Sequence, residues 1–163
     1  MPELNNQNFN HLKIHTQYSI CEGAIKIDNL KDFCKEKKIP CLGLSDTSNL
    51  CGALEFAENI SKVGTQPIIG TQIYFRFEDT TGLLPLIALN ENGYKKIIEL
   101  SSRSYLENDA LSDPHLDIKE LLIGTEGVSL LSGTIQGLFG KLFEKGRLDE
   151  ISKLYKSLSS KFN

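Results

Sequence analysis

Cysteine is missing from the last two thirds of this 163-residue chain; Cys21, Cys34, Cys41 and Cys51 all fall in the first third, and no two form a C-x-x-C pair. That spacing argues against a zinc ribbon and against a disulfide framework, which would need staples along the whole chain. Four free thiols in a reducing compartment are expected instead. Basic residues are also in short supply. Eighteen Lys and Arg stand against 21 Asp and Glu, giving a net charge of −3 and a pI near 5.6. A surface that grips nucleic acid needs clustered cations to neutralise phosphates, so this segment is not expected to hold DNA itself. No apolar run approaches the roughly 18 residues of a membrane span. The opening Met1-Pro2-Glu3-Leu4-Asn5-Asn6-Gln7-Asn8 has neither a basic n-region nor an apolar h-region, which reads against a secretory signal and for the cytoplasm. Internal repeats and low-complexity linkers are absent. Gly43-Leu44-Ser45 lacks the flanking glycines and the strand–turn–helix setting of a nucleophile elbow.

An apolar fraction of 40% and a charged fraction of 24% are those of an ordinary globular domain with enough chain to bury a core. Short strands are expected at Leu12 to His15, Cys41 to Leu44, Pro67 to Gly70, Gln72 to Phe77, Leu83 to Leu89 and Val128 to Leu131. Helices are expected over Ile27 to Lys37, capped by Asp28 or Asn29 and stopped by Pro40, and over Ala53 to Val63 with Gly64 just past its end. A third spans Gly93 to Leu106, with Tyr94, Ile97, Ile98 and Ser101 inward, and two more cover Gly137 to Phe143 and Leu148 to Leu158. Asn108 to His115 reads as a long loop. Strands alternating with helices of this length predict an α/β fold with βαβ units and a mainly parallel sheet.

Several blocks then follow one another in a telling order. His11-Leu12-Lys13-Ile14-His15-Thr16-Gln17-Tyr18-Ser19 precedes Glu22-Gly23-Ala24. Leu44-Ser45-Asp46 and Asn49-Leu50-Cys51-Gly52-Ala53-Leu54-Glu55-Phe56 come next, then Pro67-Ile68-Ile69-Gly70, Asn92-Gly93-Tyr94, Ser104-Tyr105-Leu106-Glu107 and Leu131-Ser132-Gly133. From about Phe9 onward the ordered set resembles the PHP (polymerase and histidinol phosphatase) domain that opens the alpha subunits of bacterial DNA polymerase III. The resemblance implies a distorted (β/α) barrel with flanking helices, whose strand ends hold a metal cluster that hydrolyses phosphoesters in active members. In such clusters His and carboxylate ligands fix cations that activate water and stabilise the leaving oxygen.

The ligand positions implied by that resemblance are largely altered here. The first motif, His-x-His on one strand face, is Lys13-Ile14-His15, and a protonated lysine has no lone pair to give a metal. The second, Asp-His, is Asp46-Thr47. A Glu after the Ile-Gly turn is replaced by Gln72, a His by Tyr105 and a Cys by Thr134. Only His15 and Asp46 keep a ligating side chain, so no bound metal and no catalytic residue are expected within residues 1–163. Lys13 either stands in for the lost positive charge by pairing with Asp46 or runs its head out to solvent. His11 and His115 are expected to be surface or loop histidines. Gly133-Thr134-Ile135-Gln136-Gly137 is either an anion site at a helix start or a plain loop-to-helix turn.

The resemblance further implies a single, incomplete PHP domain over residues 1–163. The remainder of that domain, and a palm domain that carries nucleotide addition with Mg, would lie downstream of Asn163. In polymerases whose PHP domain has lost its metals, the family pattern is docking of a separate proofreading exonuclease subunit on this domain. The other partners are the rest of the polymerase holoenzyme, with DNA met only through the parent chain and no membrane. The alternative is a free-standing metal-dependent PHP phosphoesterase with an unusual site.

Overall fold

In a computed structural model of the chain, which describes residues 9–109 and 111–162, five strands form one sheet flanked by helices. Helix α1 (Ile27–Lys37) occupies the predicted span, but neither Asp28 nor Asn29 caps it. The N-cap is Lys26, with no side-chain cap, and Asp28 sits in the first turn 3.8 Å from Lys31. Lys38, at φ 52°, ends the helix by returning its N–H to the Cys34 carbonyl, so the helix closes before Pro40 is reached.

Strand β1 (Cys41–Thr47) leads through helix α2 (Ala53–Ser61) to β2 (Gln66–Phe77), and the two strands pair in parallel, from Cys41 opposite Gln66 to Thr47 opposite Gln72. The strand expected to break near Thr71 is continuous. Thr71 is buried and donates its hydroxyl to the Asp46 carbonyl at 2.6 Å, which removes the cost of a polar side chain there. From β2 the chain turns through Glu78 and Asp79 straight into β3 (Thr80–Ala88), an antiparallel hairpin. Helix α3 (Glu91–Leu106) and a two-residue strand β4 (Leu116–Asp117), parallel to β2, precede β5 (Val128–Leu130), which pairs antiparallel with β3. Helices α4 (Leu138–Glu144) and α5 (Leu148–Ser159) close the described fold.

The α/β class with flanking helices and parallel pairing thus holds, but the sheet is mixed and not mainly parallel. The cause is the two-residue turn: Glu78 takes φ 54°, the left-handed geometry such hairpins require, without the Gly or Asn that normally marks it. The inward face of α3 also differs. Gly93, Ile97, Leu100 and Ser104 are buried, whereas Ile98 is 41% exposed. Adjacent Ile97 and Ile98 admit two helical phases, and the close approach of Gly93 to the Gly127 carbonyl selects one.

Two apolar clusters fill the interior. One joins α1, α2 and β1 around Ile27, Leu42, Leu44 and Phe56; the other joins the hairpin to α3, α4 and α5 around Ile73, Phe75, Leu86, Ile97 and Leu142. Full burial of a side chain such as Phe56 stabilises by about 1.5–3 kcal/mol. All four cysteines are free thiols, Cys34 buried and Cys21 and Cys51 exposed. Among the described residues no helix is long and apolar enough to cross a membrane.

A polar clasp ties the hairpin turn to the α4–α5 junction. Lys145 donates to the Thr80 hydroxyl at 2.6 Å, Lys141 to the Thr81 carbonyl at 2.8 Å, and Arg147 pairs with Asp79. The hydrogen bond from Arg147 holds the Asp79 carboxyl below the usual carboxylate range. A depressed folded-state value means that the clasp's contribution is complete above the ordinary carboxylate pKa and is lost as pH falls through the lowered one. Asp79→Asn is therefore expected to melt slightly below the wild type at neutral pH and together with it in strong acid, as thermal scans across that range would show. The pair is exposed, so the shift should be small and should shrink with salt.

Candidate functional site

The segment ahead of α1, the middle of the β2–β3 hairpin and the turn before α4 meet around a cavity of about 320 Å³. Its polar wall is Lys13, His15, Glu22, Gln72, Thr134 and Gln136, with Leu83 and Pro85 as the apolar part. The leading segment is not the regular strand expected. It touches β1 through a single parallel bridge, Ile14 to Leu44, framed by Gly43 N–H to the His11 carbonyl at 2.7 Å and Ser45 N–H to the Ile14 carbonyl at 2.8 Å. That pairing holds extended backbone against β1 and lets Lys13 and His15, two residues apart, reach the same cavity.

Asp46 is fully buried. Its Oδ1 accepts from the Thr16 backbone N–H at 2.6 Å and the Ser19 hydroxyl at 2.7 Å, and its Oδ2 accepts from the Thr16 hydroxyl at 2.7 Å. The pairing of Asp46 with Lys13 is therefore not what forms. Lys13 is half-buried on the cavity wall. Strand alternation explains the separation, because Asp46 and Thr47 leave β1 on opposite faces. Thr47 meets the cavity side, where its hydroxyl bonds to Glu22 and accepts from Gln72 Nε2 at 2.7 Å.

Ser19, His15 and Asp46 lie together, but in an order that gives no nucleophile. The Ser19 hydroxyl donates to Asp46, accepts from the Thr47 N–H at 3.0 Å, and stands 3.4 Å from His15 Nδ1. A nucleophilic triad needs the carboxylate on the histidine and the histidine taking the serine proton; here the serine proton is committed to the carboxylate. Burial pushes the His15 pKa down and the nearby Lys13 charge adds to that, while Glu22 and Asp46 oppose it.

The remaining expected positions divide. Thr134 and Gln72 reach the cavity, whereas Tyr105 is 52% exposed on the last turn of α3 and does not line it. His11 is exposed with its ring against Phe9, and the His115 ring contacts the Asp113 carbonyl in the loop. Residues 133–137 form a loop-to-helix turn closed by Gly137 N–H to the Thr134 carbonyl at 2.9 Å. Glu22 also lines the wall, although sequence reasoning assigns it no role; its one signal is its place in the block directly after the first motif. Gln136 carried no signal beyond its turn.

These residues do not fit a multinuclear metal centre. Among the described residues no three of His, Cys, Asp and Glu converge to hold an ion. Both oxygens of Asp46 are taken by protein donors, Lys13 brings a positive charge, and Gln72, Thr47 and Thr134 offer only neutral oxygens.

The PHP domain family pattern matches residues 11–163. Among curated proteins, the DNA polymerase III subunit alpha of Caulobacter vibrioides is 37% identical over 161 residues, covering 93% of this chain and 14% of that one. The corresponding subunit of Rickettsia felis is 35% identical over 134 residues, 82% of this chain and 11% of the other. That of Thermus aquaticus is 34% identical over 155 residues, 86% and 13%. The chain therefore spans about 11–14% of the length of these relatives.

Proposed function

From the premise that this chain belongs to the PHP domain family, we propose that it is the N-terminal module of a replicative DNA-directed DNA polymerase. In this reading it has lost the fold's phosphoesterase chemistry and serves as a structural platform on which the proofreading exonuclease subunit docks. Similarity to alpha subunits over most of the chain supports the polymerase context. The observation that carries the loss of hydrolysis is Asp46: a ligand position whose carboxylate is sealed from the cavity and saturated by Thr16 and Ser19. Nucleotidyl transfer, with its Mg, is assigned to a palm domain outside residues 1–163.

Thr16, Ser19 and Asp46 then hold the leading segment in place as a structural unit, and none of them binds, orients or deprotonates a substrate. Gel filtration of the chain with the purified proofreading exonuclease subunit of the same organism is expected to give a co-eluting complex. A parallel assay of p-nitrophenyl phosphate hydrolysis with added Mn²⁺ is expected to show no metal-stimulated turnover. Metal-stimulated turnover without complex formation would favour a free-standing phosphoesterase instead.

A further inference from the structure

A second and larger hollow, of about 620 Å³, shares no residue with the cavity at the leading segment. It lies where the end of β2, the short 3₁₀ helix Ile118–Leu122 and helix α5 meet. Its apolar lining is Ile118 and Leu154, both buried, with the partly buried Phe77 and Leu122 beside them. Each of the three elements also adds a cation to the wall: Arg76 from β2, Lys119 from the 3₁₀ helix and Lys153 from α5. All three are exposed. Among the described residues none of them makes an ion pair, whereas Arg103 reaches Glu107 and Glu120, and Arg147 reaches Asp79. The two acids in the wall are already engaged. Glu78 stands 3.8 Å from Arg147, and Asp117 accepts the Lys119 backbone N–H at 2.9 Å.

We propose that this hollow docks an acidic segment of a protein partner, seating an apolar side chain by Phe77 and Leu122 while carboxylates face Arg76, Lys119 and Lys153. The inference deepens the docking role proposed above, and rests on it in taking the partner to be a protein. Charge complementarity selects the occupant. In a chain of net charge −3, three uncommitted cations around an apolar lining attract carboxylates before contact and fix their register afterwards. Nucleic acid would use the cations alone, because an apolar lining gives phosphates no donor. A segment with Leu or Phe between its carboxylates uses both parts. Burial of that apolar side chain supplies most of the affinity, and the exposed charge pairs decide which segment enters.

The test is titration of the isotope-labelled chain with the acetylated peptide Glu-Asp-Leu-Phe-Asp-Glu, followed through the amide nuclear magnetic resonance signals. Saturable, salt-sensitive shifts centred on Arg76, Lys119 and Lys153 are expected. The same peptide with lysine at every acidic position, and a poly-thymidine oligonucleotide, should leave those signals in place. Lys119→Glu combined with Lys153→Glu should weaken the acidic peptide at least about tenfold, because attraction becomes repulsion at two points. Lys119→Arg with Lys153→Arg keeps both charges and should bind as wild type does. The substituted side chains are exposed, and the dispersion of the same spectra verifies that each variant folds. Absent shifts with the acidic peptide, equal shifts with the lysine peptide or the oligonucleotide, or undiminished binding by the glutamate variant would each overturn the inference. If the exonuclease subunit still co-elutes with wild type in those cases, the proposed docking role stands without this surface.

Discussion

Replacing Asp46 with alanine is expected to destabilise the chain by about 3–5 kcal/mol, as unfolding in urea would measure. The carboxylate is fully buried and gathers three donors, the Thr16 N–H, the Thr16 hydroxyl and the Ser19 hydroxyl. Truncation strands all three, and only the hydroxyls can turn toward other partners. Ser19 is also the acceptor for the Thr47 N–H, so the loss should spread to the end of β1. Asp46→Asn should cost less than alanine, because one amide oxygen still accepts while the NH₂ faces a donor. Lys13→Ala should add to either change without coupling, within about 0.5 kcal/mol, since Asp46 is held by Thr16 and Ser19. Strong coupling in that double-mutant cycle would restore the Lys13–Asp46 pair.

Gly43→Ala should be nearly as severe, at about 3 kcal/mol or more. A Cβ on Gly43 would stand 2.4 Å from the Leu12 carbonyl oxygen and 2.6 Å from its Cα. Both are backbone atoms, and Gly43 also makes the hydrogen bonds that lay residues 11–15 along β1. The clash can be relieved only by lifting that segment, which carries Lys13 and His15 off the cavity wall. The expected result is a lower unfolding midpoint together with a changed His15 ring resonance. A variant with wild-type stability and an unmoved His15 signal would show that the segment does not depend on this close approach.

These two positions mark what could be read from the chain before its fold was known. Helix α1 was legible to the residue because Leu30 and Cys34 repeat at helical spacing and Pro40 bounds the run. The cavity residues Lys13, His15, Gln72 and Thr134 were legible only through the ordered motifs, since nothing in their local pattern distinguishes them. The Glu78 turn was hidden because a residue other than glycine takes the left-handed conformation there. The fate of Asp46 was hidden for a different reason. Its partners come from Thr16 and Ser19, some 30 positions away for Thr16, and they lie in the turn just past the segment expected as a strand, where no periodicity exists to read. Periodicity reports faces within an element, whereas Asp46 is decided by which other element lies against that face.

On the proposed reading, hydrogen bonds within the chain stand where the fold would otherwise hold a metal cluster. Elemental analysis of the purified wild-type chain, after equilibration with Mn²⁺, Zn²⁺ and Fe²⁺ and removal of free ions, tests it most directly. The expected result is less than one ion of any kind per chain. Two or more ions held tightly around His15 and Asp46 would contradict it, because Asp46 would then have to leave Thr16 and Ser19 to reach them.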